Sequence, residues 1–123
     1  MVGHKRSALA SFKTALSGLA YAFRSQPNLK RGLFFATFAF ILSFLFHLSW
    51  LESVLIIWTI VIFFVAEMVN TSIEAVIDLL SEEWNMKAKI AKDIASGMVL
   101  LTAIATAVVG LLIFVPHLVG LFV

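Results

Sequence analysis

The chain has 123 residues, of which 62% are hydrophobic and 13% charged, with a formal net charge of +2. A water-soluble surface ordinarily needs about a quarter of the residues charged, so much of this chain is predicted to face lipid. The absence of cysteine excludes a disulfide scaffold, a thiolate metal site and a cysteine nucleophile. The first long apolar run begins only near Leu33, and no small-residue cleavage site follows it. The N-terminus therefore does not read as a cleavable signal, and residues 1–123 read as one mature domain.

Residues 5–25 carry an amphipathic pattern, with Leu9, Phe12, Leu16, Leu19 and Phe23 at helical spacing and Lys13, Ser17 and Arg24 off that stripe. A basic helix with one apolar face is predicted to lie in the membrane interface. Pro27 with Asn28 ends it. A first span is expected over 32–51, interrupted only by Thr37, Ser43, His47 and Ser49. A short break at 47–53 contains Trp50, a residue suited to the interface. The second span is expected over 53–80. Its outer part, Val54–Ala66, is wholly apolar, whereas Glu67–Leu80 keeps the helical pattern but carries acids. A polar stretch at 81–93 leads to a third span over 90–115, ended by Pro116. Small residues recur in that span at four-residue spacing: Thr102 with Thr106, Ala103 with Ala107, Thr106 with Gly110. Such spacing lets helix backbones approach closely in lipid and suggests a packing seam.

All nine basic residues fall in two places. Lys5, Arg6, Lys13, Arg24, Lys30 and Arg31 precede the first span, and Lys87, Lys89 and Lys92 lie between spans two and three. Two separate segments thus agree on one orientation: N-terminus and 81–93 loop in the cytoplasm, C-terminus outside.

Glu67, Asn70, Glu74 and Asp78 are spaced three, four and four residues apart. At about 100° per residue they share a ~80° sector of a helix, with Thr71 beside them. Val69, Ile73, Val76, Ile77 and Leu80 cover the other side. Counted from Ser53 at ~1.5 Å per residue, Glu67 lies about 21 Å and Asp78 about 37 Å along the span, against a hydrocarbon core of ~30 Å. The stripe is thus expected to run from the inner leaflet into the cytosol. Acids at such depth are costly and persist where a cation, proton or substrate compensates them. Pairing with interfacial lysines would account for Asp78 alone. It does not account for the whole set, which includes the uncharged Asn70. Lys92 and Asp93 sit across the short loop, where they are positioned to fold back toward Glu74 and Asp78. Trp84, in the polar turn Glu82–Asn85, reads first as an interface anchor.

The run Ala66-Glu67-Met68-Val69-Asn70-Thr71-Ser72-Ile73-Glu74-Ala75-Val76-Ile77-Asp78 resembles the signature of the prokaryotic diacylglycerol kinase/undecaprenol kinase family. Ala91-Lys92-Asp93-Ile94-Ala95-Ser96-Gly97 follows at the matching distance, and the likeness extends to Gly18 and to Asn28-Leu29-Lys30. It covers nearly the whole chain. The resemblance implies an all-α, multi-pass protein of the bacterial inner membrane: an interfacial helix, three spans and a homotrimer. It implies transfer of the γ-phosphoryl of ATP to a lipid alcohol, undecaprenol or diacylglycerol, with Mg2+. In that reading Glu67 is the general base and Glu74 a metal ligand. Asn70 holds phosphate, and Lys92 with Asp93 contacts the nucleotide phosphates. Asp78 belongs to the nucleotide site, Glu83, Trp84 and Asn85 lie near the adenosine, and Ser96 near the lipid. The chain departs from the pattern at Gln26, where relatives often carry a second metal-binding glutamate. An amide oxygen brings no charge, so Gln26 is the weaker of the two metal-ligand candidates. The short chain and its Asn70–Asp78 core look closer to the undecaprenol-type members.

General chemistry is compatible with this. There is no Walker loop or kinase Gly-rich loop. Phosphoryl transfer nevertheless needs little beyond positioning, a divalent metal and charge stabilisation, and Mg2+ accepts one or two carboxylates plus phosphate oxygens. Three thin spans do not enclose both a nucleotide and a lipid, so sites shared between copies are expected. The rival class is an ion-coupled transporter or proton channel using Glu67, which is disfavoured because Val54–Ala66 carries no ionisable group. A non-catalytic adaptor would not need Asn70 and three acids on one sector. Nothing in the sequence points to nucleic acid.

Overall fold

The computed structural model describes residues 6–80 and 82–123. Lys5, the expected start of the surface helix and a member of the basic cluster, and Ser81, the first residue of the polar stretch, lie outside them. Among the described residues there are four helices and no strand: α1 (Ala8–Ser25), α2 (Pro27–Leu45), α3 (Trp50–Leu80) and α4 (Met86–Val119).

Ser7 opens α1 by accepting the Ala10 N–H on its hydroxyl at 3.2 Å. Gln26 separates α1 from α2 in an extended conformation, φ −104° and ψ 113°. The proline ring after it disfavours the helical region at that position. Pro27 then takes the first position of α2, where its missing N–H costs nothing. The helix therefore starts at Pro27, ahead of the apolar stretch expected from 32, and includes Lys30 and Arg31. It ends in a Schellman closure: His47 N–H bonds Phe44 O and Leu48 N–H bonds Ser43 O, with His47 at φ 52°. Ser49 and Glu52 form a capping box at the start of α3, each side chain bonding the other's backbone N–H at 3.2 and 2.9 Å. Pro116 does not stop α4, which continues to Val119. Only one ladder bond is forfeited there, close to the helix end.

α3 and α4 form the main antiparallel pair. Glu52 of α3 meets His117 Nε2 of α4 at 3.1 Å at one end, and Asp78 meets Lys92 at the other. Midway, Thr106 Oγ1 lies within bonding range of Thr59 O at 3.2 Å across the pair. The small-residue seam thus turns Thr106 toward α3 of the same chain. Ile56 and Ala66 on α3 and Ala95 and Ile113 on α4 are buried in this contact or beside it. α2 leans on α3 through Gly32, and Leu29, just before it in sequence, is fully buried. Phe23 of α1 stacks edge-on against Phe64 at 5.3 Å.

The rest of the apolar surface points outward, including Phe44, Trp50 and Leu112. α2, α3 and α4 are each long and apolar enough to cross a membrane. At 31 and 34 residues, α3 and α4 extend to about 46 and 51 Å, well beyond a ~30 Å hydrocarbon core. Their polar ends therefore project past it.

Gly32 is where α2 approaches α3 closely: a Cβ there would sit 2.8 Å from Cε1 of both Phe63 and Phe64. Gly32→Val is expected to destabilise the fold by about 1–3 kcal/mol, because two buttressed rings must move. Gly18, with nothing within 4 Å of a built Cβ, should tolerate Ala with little change. Thermal melts of the two variants in the same detergent check this.

Candidate active site

The end of the bundle where α1 meets α2, α3 ends and α4 begins carries the polar stripe. Glu67 is 3% exposed and is the one buried charged residue among those described. Its main chain is tied to the next turn, with Thr71 Oγ1 donating to Glu67 O at 2.9 Å. One turn on, Asn70 Nδ2 donates to Glu74 Oε1 at 3.4 Å. Asn70 Oδ1 is buried and has no hydrogen-bond partner. A buried acceptor without a donor carries a cost of ~1–3 kcal/mol, which an incoming cation or donor would relieve. Glu67 and Glu74 stand close enough to repel each other.

Lys92 of α4 folds back onto the stripe, as the spacing suggested. Its Nζ contacts Asp78 Oδ1 and lies in the field of Glu74. Asp93 does not join it, because one turn of helix places it against Lys89. Lys92 therefore answers Asp78 and, less directly, Glu74, and the stripe itself carries three carboxylates. Such a set of acids favours a divalent cation.

The other expected residues are more dispersed. Gln26 occupies the α1–α2 hinge, and among the described residues no hydrogen bond joins it to Glu74. Asn85 caps α4, its Oδ1 accepting from the Lys87 and Ala88 N–H groups at 2.9 and 3.3 Å. Its oxygen is therefore already committed. Trp84 is exposed beside it, and Glu83 is engaged with a neighbour. Ser96 lies exposed on α4 one residue past buried Ala95.

Asn28 is a site neighbour that periodicity could not reveal. Its carboxamide lies close enough to act on Glu67, and its Oδ1 accepts from Arg31 Nη1 at 3.0 Å. An asparagine near a helix start reads locally as a capping or turn residue. Only the tertiary approach of α2 to α3 brings it to the acid.

Among the described residues no three His, Asp or Glu side chains converge as a metal cage. The donor set still fits Mg2+ in the manner of nucleotide-bound metal, which takes one or two protein oxygens and completes its shell with phosphate and water. Glu74 and the partnerless Asn70 Oδ1 are the available oxygens.

A family model described as prokaryotic diacylglycerol kinase matches residues 13–114. The chain is 36% identical over 116 residues to a protein named diacylglycerol kinase from Synechocystis sp., covering 94% of this chain and 66% of that relative's length. It is 36% identical over 108 residues to a protein named undecaprenol kinase from Bacillus subtilis (strain 168), covering 88% of each. The matched region contains the whole stripe, Lys92 and Asn28.

Proposed function

This chain belongs to the prokaryotic diacylglycerol kinase family, and on that premise we propose that it transfers the γ-phosphoryl group of ATP to the hydroxyl of a membrane lipid alcohol. The observation that carries the reading is the burial of Glu67 on the same helix face as Asn70 and Glu74. A deep carboxylate is the acid a lipid headgroup reaches first, while the stripe's outer members are open to a water-borne nucleotide.

In this mechanism Glu67 accepts the proton of the lipid hydroxyl. The alkoxide-like oxygen bonds the γ-phosphorus as the bond from that phosphorus to the β–γ bridging oxygen breaks. ADP leaves, and the proton remains on Glu67. Glu74 would hold Mg2+, which would offset the charge of the nucleotide phosphates, and Asn70, whose Nδ2 already donates to Glu74, would offer its Oδ1 to that ion in place of the phosphate contact the resemblance implies. Lys92, exchanging Asp78 for phosphate, supplies a positive charge to the transferring group. Asp93 is the less favoured phosphate partner, since Lys89 already holds it. Glu83, Trp84 and Asn85 border the mouth of the site and are assigned to the adenosine, with Trp84 the exposed ring available for stacking. Ser96 is assigned to the lipid side.

The two basic segments support a cytoplasmic position for this end of the bundle at a bacterial inner membrane, with the C-terminus outside. The exposed flank of α3 and α4 suits further copies of the chain, and a homotrimer with shared sites is the assembly proposed. The two named relatives differ in lipid, so the acceptor is either undecaprenol or diacylglycerol.

Purified protein in detergent, given ATP labelled in the γ-phosphate, Mg2+ and a panel of lipid alcohols, tests this. Label is expected in the lipid phase with undecaprenol or diacylglycerol and absent without Mg2+. An unlabelled lipid phase, together with proton flux through protein-loaded liposomes in the absence of ATP, would favour the transporter class instead.

A further inference from the structure

We propose that Asn28 is a positioning residue for Glu67, with its amide donating to the Glu67 carboxylate and Arg31 holding that amide the right way round. The assignment rests on the reading of Glu67 as the base and extends it to a second helix.

The hydrogen bonds have a direction. Arg31 has only donors to offer, and its Nη1 takes the Asn28 carbonyl oxygen at 3.0 Å. The NH2 side of the same amide is then left for Glu67, whose ionised carboxylate only accepts. The relay therefore runs Arg31 to Asn28 to Glu67. Swapping the two ends of the amide would set a carbonyl oxygen against a carboxylate and an NH2 against a guanidinium.

The backbone under Asn28 is pinned on both sides. Gln26 is extended before Pro27, whose ring fixes the start of α2. Leu29, next in sequence, is completely buried. One turn later Gly32 meets Phe63 and Phe64, the residues just ahead of Glu67 on α3. This crossing ties the α2 start to the stretch of α3 that bears the acid. Asn28 itself stays exposed, so its amide adds little to the packing and is available to orient a neighbour.

Glu67 needs such a guide. It is nearly inaccessible, and the crossing of Gly32 with Phe63 and Phe64 in the antiparallel α2–α3 pair sets Asn28, one turn before Gly32, level with Glu67, one turn after Phe63. One donor fixes the carboxylate and leaves acceptor capacity for the proton of an alcohol. Orientation of this kind acts on the chemical step rather than on substrate affinity.

Asn28→Asp separates the two roles of the side chain. It keeps oxygens for Arg31, removes the donor, and places a like charge beside Glu67. With full-length protein and the lipid alcohol that the wild type phosphorylates, kcat is expected to fall about tenfold or more, the worth of one hydrogen bond to a charged group. KM for ATP and for the lipid should stay within about threefold, and the melting temperature should hold. Asn28→Ala, which adds no charge, is expected to repeat the kcat loss and serves if the Asp variant folds poorly. An active wild type whose Asn28→Asp and Asn28→Ala variants keep full kcat overturns this assignment alone. So does a loss that appears in KM or tracks a lower melting temperature. A wild type that labels no lipid alcohol overturns the kinase reading and this assignment with it.

Discussion

Glu67→Gln is expected to lower kcat by about 10²–10⁴-fold while leaving ATP affinity nearly unchanged. General-base catalysis by a positioned side chain contributes that much. Glutamine keeps the shape of glutamate and an oxygen that can still accept from Asn28, but it takes no proton at neutral pH. Glu67 is 3% exposed in a helix long and apolar enough to cross a membrane. Replacing its charge by a neutral amide removes a buried carboxylate and its repulsion from Glu74, so the variant should melt no earlier than the wild type. Steady-state kinetics with a parallel melt separate the two effects. Wild-type kcat in the variant would remove Glu67 from the chemistry. A large kcat loss accompanied by early melting would show that the residue is needed for folding instead.

The second large effect is expected at Glu74. Glu74→Gln preserves an oxygen for Asn70 Nδ2, now at 3.4 Å, and deletes only the charge. If Glu74 is the main protein ligand of nucleotide-bound Mg2+, the metal concentration for half-maximal rate should rise about ten- to a hundredfold. Losses of that size accompany even the outer partners of metal ligands. The effect should be severe here because the oxygen beside it is neutral: Asn70 Oδ1 has no charge. Rate measured against Mg2+ at fixed ATP checks it. An unchanged metal curve would place the ion elsewhere.

Much of this site is legible in the sequence. The three-four-four spacing of Glu67, Asn70, Glu74 and Asp78 depends only on helical pitch, and a 31-residue helix preserves it. The return of Lys92 to Asp78 was also readable, because a short polar loop between two long apolar helices forces them antiparallel. Competition between nearby partners was not. Asp93 is drawn to Lys89 by i,i+4 geometry inside α4, which outweighs a longer reach across the pair. Asn85, which the resemblance puts near the adenosine, also caps α4, because a helix start needs acceptors for its first N–H groups and Asn85 is the nearest one. Pro27 read as the end of one element and proved also to be the first residue of the next, since the same ring that breaks a helix suits its opening turn. Asn28 carried no periodic signal at all. Its partnership with Glu67 depends on where α2 crosses α3, a property of Gly32 and two phenylalanines a full span away in sequence.

The far end of the bundle was less legible still. Glu52 has no role assigned from the sequence. It closes a capping box with Ser49 and also binds His117, joining the start of α3 to the end of α4. That pairing requires α4 to continue through Pro116, which local propensity argued against.

The central claim is that nucleotide and metal sit at the polar end of α3. Because the chain has no cysteine, single cysteines can carry spin labels at Leu79 and at Leu51, with Mn2+·ATP as the paramagnetic partner. Along the helix these positions lie about 8 Å and about 35 Å from Glu74 at ~1.5 Å per residue. Pulsed electron paramagnetic resonance should give a short manganese-to-label distance from Leu79 and one longer by tens of ångströms from Leu51. A short distance from Leu51, or equal distances from both, would contradict the account.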